Sequence, residues 1–197
     1  MKTDALLRKA PPDLPSALRQ IVDYRKSGLS LNHIVGCPLD CGYCVRHLFA
    51  NFEMKKPHLV LDDDAAVREL VEHWAFRKDI TPIQLLNRAT DPFLPGVKDH
   101  LIRTLEILDG KGLRNPVLVI TRWRVEPDDI QRLERLSNIK LTILVTWSGI
   151  DDTRLEPVES SIADPRHHER RRCRCAELRR DRRRRPHMDR RRSYRRP

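Results

Sequence analysis

Two hydrophobic periods take turns along this chain. Short apolar runs rich in β-branched residues fall at 30–35, 83–86, 116–121 and 141–147 and read as strands. Between them, apolar positions recur at three- and four-residue spacing, as on one face of a helix. Val67, Leu70, Val71 and Trp74 make the first stripe. It follows the acidic start Asp62, Asp63, Asp64 and precedes Arg77 and Lys78, the charge order a helix dipole favours. Val97, Leu101, Leu105 and Leu108 make the second, closed by Gly110 and Gly112. Ile130, Leu133 and Leu136 make a shorter third stripe after Pro127. Strand and helix alternate, so the expected fold class is α/β, a parallel sheet joined by right-handed crossovers. Chemistry in such sheets gathers beyond the C-terminal strand ends, which here means residues 36–44, 87–95, 121–125 and 148–152.

Charge changes this picture only at one end. The formal net charge is +11, but residues 160–197 hold sixteen Arg, no Lys and five acidic residues, so residues 1–159 are neutral overall. The body of the chain therefore carries no field that would draw it to a polyanion. The Arg-rich segment lacks apolar residues for a core and is expected to be disordered. It reads either as a basic arm for nucleic acid or as the out-of-frame product of a GC-rich gene, the second reading being preferred. No apolar run reaches signal-peptide or membrane-spanning length, and a cytoplasmic protein with no membrane partner is expected.

Five cysteines are present, three of them within eight residues. An odd count with clustered thiols suits a reducing compartment and a metal site better than a disulfide framework. Cys37-Pro-Leu-Asp-Cys41-Gly-Tyr-Cys44 has C-x3-C-x2-C spacing. Three thiolates on a tight loop can ligate three irons of a [4Fe–4S] cubane and leave the fourth open to a small molecule. The rival reading is structural zinc, with His47 as the fourth ligand of a Cys3His set. In that case the chain would be a zinc-stabilised nucleic-acid-binding module with a basic tail. His33 and His47 otherwise read as ordinary polar or half-buried histidines.

This cysteine spacing after a first strand, with an aromatic residue before the last cysteine, resembles the radical S-adenosylmethionine superfamily. Residues 87–95 (Asn-Arg-Ala-Thr-Asp-Pro-Phe-Leu-Pro), 117–122 and 146–151 are similar to the branch related to spore photoproduct lyase. The resemblance covers about residues 28–157 and implies a partial (β/α) barrel of the radical S-adenosylmethionine type. Only about four strands are legible, so the core is expected to be truncated. It would be flanked by an N-terminal extension at 1–27 and the Arg-rich tail at 158–197.

The resemblance further implies an enzyme, lyase-like, with a [4Fe–4S] cluster on Cys37, Cys41 and Cys44 and with S-adenosyl-L-methionine as its second cofactor. Tyr43 would line the adenine side, Ala89, Thr90 and Asp91 would meet the methionine amino group, and Arg122 would pair with the carboxylate. Ser148 would contact ribose or carboxylate. From the residues alone, Thr90 and Asp91 also read as caps of the next helix, Arg122 as a surface cation and Ser148 with Gly149 as a turn. Partners would be an electron donor such as flavodoxin or ferredoxin and an unidentified substrate, nucleic acid being one candidate class. No cysteine lies between Cys44 and Cys173, so the thiol that returns a hydrogen atom in the lesion lyase has no counterpart in the core.

Overall fold

The computed structural model describes residues 7–39, 41, 44–49 and 51–146. In chain order the elements are β1 (Arg8–Lys9), α1 (Ser16–Arg19), β2 (Val22–Arg25), β3 (Gly28–Leu31) and β4 (Ile34–Val35). A 3-10 turn at Val45–Phe49 and β5 (His58–Leu59) follow. Then come α2 (Asp63–Glu72), β6 (Ile83–Leu85), α3 (Lys98–Gly110), β7 (Pro116–Thr121), α4 (Pro127–Leu133) and β8 (Lys140–Val145). The fold is mixed α/β with two sheets, and no closed barrel is formed among the described residues.

The larger sheet runs β2-β3-β6-β7-β8. Its last four strands are mutually parallel and lie in sequence order, while β2 pairs antiparallel with β3 at one edge. Side chains alternate across a strand. Leu29, Leu31, Ile83, Leu85, Val117 and Val119 therefore share one face, where they meet Val67 and Leu70 of α2 and Leu101, Leu105 and Leu108 of α3. Each such buried side chain contributes about 1.5–3 kcal/mol over its exposed state. The helices form where the stripes place them. Asp62 caps α2 by accepting from the Ala65 N–H at 2.9 Å.

Three details differ from the sequence pattern. The run at 30–35 is not one strand: it divides at Asn32 and His33 into β3 and β4, which belong to different sheets. Both residues there are buried, and their polar side chains are held by Ser30 (2.8 Å from Asn32 Nδ2) and by Asp63. Secondly, α2 ends at Glu72, because His73 is already extended, and Trp74 is 71% exposed rather than on the core face. Lastly, residues of the N-terminal extension enter the fold, since β2 hydrogen-bonds β3 along its whole length.

The smaller sheet, β1-β5-β4, matters most for the site. β4 and β5 are antiparallel neighbours, so everything between them, cysteines included, is one long connection returning to its start. An ionic clasp joins this region to the helices. His33 Nε2 lies 3.0 Å from Asp63 Oδ1, and His100 Nδ1 lies 2.9 Å from Asp63 Oδ2, tying the β3–β4 junction, α2 and α3 together. Among the described residues, no helix is long and apolar enough to cross a membrane.

Candidate metal centre

The cysteine connection is anchored at its first residue. Gly36 has φ 98, and a Cβ there would lie 2.2 Å from the Lys56 carbonyl oxygen, so the close approach needs glycine. Its N–H donates to the Ala89 carbonyl at 3.0 Å, and the Cys37 N–H donates to Met54 O at 2.8 Å. Further on, the Cys44 N–H donates to Cys41 O at 3.0 Å and the His47 N–H to Cys44 O at 3.1 Å.

The centre of this connection is a side chain that the sequence did not single out. Arg46 is only 2% exposed, and its guanidinium donates to five carbonyls. Nη2 reaches Cys37 O (3.1 Å), Leu39 O (3.4 Å) and Phe52 O (3.2 Å), while Nη1 reaches Asn51 O (3.3 Å) and Met54 O (3.1 Å). Burial is the main influence on the Cys37 thiol and pushes its pKa up; the backbone at Leu39 and the Arg46 charge act the other way.

Opposite lie the ends of β6 and β7. Asp91 is buried and accepts from the Phe93 N–H (3.0 Å), the Thr121 hydroxyl (2.7 Å), the Arg122 N–H (2.7 Å) and the Trp123 N–H (3.3 Å). Its carboxylate thus clasps the end of β7 to the loop after β6, rather than capping α3, which begins only at Lys98. Burial raises the pKa of this carboxyl, against the donors, which favour the anion.

Both walls border one half-open cavity of about 160 Å³, lined by Cys37, Cys41, Cys44, Thr90, Asp91 and Arg122 among others. The sequence placed all six at one site. Ala89 is buried beside them, its carbonyl used by Gly36. Arg122 is 9% exposed, which sets aside the surface-cation reading. Tyr43 and Ser148, expected to complete the site, and the Arg-rich tail lie outside the described residues. Asn87 and Arg88 also line the cavity and were missed, because nothing in their spacing distinguishes them from loop residues.

The donor set suits an iron–sulfur group. The three cysteines are not in disulfides, and Thr90 Oγ1, buried at the cavity, has no hydrogen-bond partner among the described residues. Yet among those residues no three His, Cys, Asp or Glu side chains are gathered tightly enough to hold a metal ion. The cavity is also smaller than the 300 Å³ or more usual for sites enclosing a drug-sized ligand. His47, the fourth ligand of the zinc reading, stacks instead on Phe52 with ring centroids 3.7 Å apart, and it does not line the cavity.

Comparison with known proteins gives no matching family model, no matching curated protein and no matching solved structure.

Proposed function

We propose that this chain is a radical S-adenosylmethionine protein holding a [4Fe–4S] cluster on Cys37, Cys41 and Cys44. The observation that carries the reading is the meeting of the C-x3-C-x2-C connection with Thr90, Asp91 and Arg122 around one cavity. Support also comes from four parallel strands in sequence order, the arrangement of a singly wound (β/α) barrel, with the cavity at their C-terminal ends. A cluster held by Cys37, Cys41 and Cys44 would supply the one electron needed to cleave S-adenosylmethionine reductively into methionine and a 5′-deoxyadenosyl radical able to take hydrogen from a substrate.

The chain's own residues bind and orient. The three thiolates ligate, and their connection is held by backbone bonds from Gly36, Cys37 and Cys44. Arg122 offers a guanidinium for a carboxylate, and Thr90 an unused hydroxyl. The electron would come from a donor such as flavodoxin or ferredoxin, and the substrate class includes nucleic acid.

Anaerobic reconstitution of the full chain with ferrous iron and sulfide tests this. About four iron and four sulfide should be bound per chain, as a cubane requires, and replacing any one of Cys37, Cys41 or Cys44 by Ala should remove most of both. Stoichiometric zinc without sulfide, in protein isolated anaerobically from iron-replete cells, would decide for the zinc module instead.

A further inference from the structure

Arg46 is a buried cation with no carboxylate against it among the described residues. Removing a charge from water costs several kcal/mol even after relaxation, so an uncompensated one needs an account. Five carbonyl oxygens partly replace the lost water. They come from both limbs of the connection: Cys37 and Leu39 on the outgoing side, Asn51, Phe52 and Met54 on the returning side. Carbonyl dipoles solvate a charge without cancelling it. Nε is also buried and has no hydrogen-bond partner among the described residues. Among the described residues, then, a positive charge stands at the wall of the cavity that the three cysteines line, a cavity the Asp91 carboxyl also borders.

A group held by three thiolates is anionic, and reduction adds one more negative charge. A fixed cation beside it favours the reduced form more than the oxidised form, and so raises the reduction potential. Resting on the functional reading above, we propose that Arg46 is the positioning residue of this centre: it ties both limbs of the cysteine connection together and sets the reduction potential of the group the cysteines hold. A purely structural arginine would do only the first.

Two variants of the full chain separate these roles: Arg46→Lys, which keeps the charge but has fewer donors, and Arg46→Gln, which loses it. Each is reconstituted anaerobically with iron and sulfide, then titrated reductively and followed by electron paramagnetic resonance. Arg46→Lys should load less iron, yet its loaded fraction should reduce at nearly the wild-type potential. In Arg46→Gln the loaded fraction should be about tenfold harder to reduce, roughly 59 mV lower for a one-electron couple. If Gln loads nothing while Lys loads, only the tying role is borne out and the assignment of the potential to Arg46 falls. If both variants load at the wild-type potential, shift equally, or both fail to load, the role is structural and the assignment falls. A wild-type chain that assembles no iron–sulfide group overturns the functional reading and this assignment together.

Discussion

Arg122 illustrates how much one side chain's surroundings add to its identity. Its N–H is fixed by Asp91 at 2.7 Å, so the residue leaves the end of β7 in a set direction and its side chain borders the thiol cavity. If it holds the carboxylate of S-adenosylmethionine, Arg122→Ala should leave iron and sulfide content intact. Calorimetric affinity for S-adenosylmethionine should weaken by about 1.5–3 kcal/mol, the scale of a lost charged hydrogen bond. Unchanged affinity with a full cluster would make the residue a bystander. The cysteines were legible because motif spacing is written in the sequence, whereas Thr90, Asp91 and Arg122 were marked as site residues only by the resemblance, at strand ends where chemistry is expected to gather. Arg46 was not. Arginine beside a motif reads as a surface residue by default, and only the folded connection aims five carbonyls at it. The role of Asp91 was hidden for a similar reason: its carboxylate accepts from the Thr121 hydroxyl at the end of β7 and from the Arg122 and Trp123 N–H groups just beyond it, about thirty residues away.

Among the elements, those with a full period were read nearly to the residue. β7 coincides with the expected strand at Pro116–Thr121, and α3 buries Leu101, Leu105 and Leu108 of the expected stripe. The strands that were missed, β1 and β5, are two residues long and cannot display a period, while β4, equally short, was read as the end of the first strand. β2 alternates Val-Asp-Tyr-Arg, but its Tyr24 is 59% exposed, so it lacks the inward apolar set that marks a strand. Elements are also joined through the clasp on Asp63. Burial works against this carboxylate, but hydrogen bonds and charge from His100 and His33 hold it below its ordinary 3.8. Its hydrogen bond to Asp63 raises His100 above 6.5, with burial opposing. A lowered carboxylate contributes stability above its unfolded value, lost as pH falls through the folded one. A raised imidazole contributes below its unfolded value, lost as pH rises through the folded one. The clasp should therefore be strongest between these limits. The urea midpoint should be higher at about pH 5.5 than at about pH 8, and His100→Gln should shrink that difference. The same pH dependence in both proteins would remove the clasp from the account.

Over the whole molecule the two edges of the large sheet are treated differently. One ends in the antiparallel strand β2 and the other in the parallel strand β8, and among the described residues neither has a partner on its outer side. Leu144 and Val145 on that strand are 48% and 51% exposed. An open apolar edge is a template for another chain. Light scattering from the wild-type protein should rise with concentration, and Leu144→Lys should suppress the rise while changing thermal stability by no more than about 0.5 kcal/mol. Scattering unaffected by the lysine would place the association elsewhere. The hydrogen bond from Gly36 to Ala89 carries a different consequence, one of timing. The three thiols are neighbours in sequence, but the frame that orients them closes only when residues 36, 54 and 89 have met. Joining such distant segments is slow compared with local turn formation, because loop entropy is lost before the contact is made. During synthesis, then, the cysteines emerge from the ribosome well before their cradle exists. If the proposed cluster reading holds, iron offered at that moment would meet three loosely tethered thiols, and ordered capture would wait until residue 89 has joined the frame.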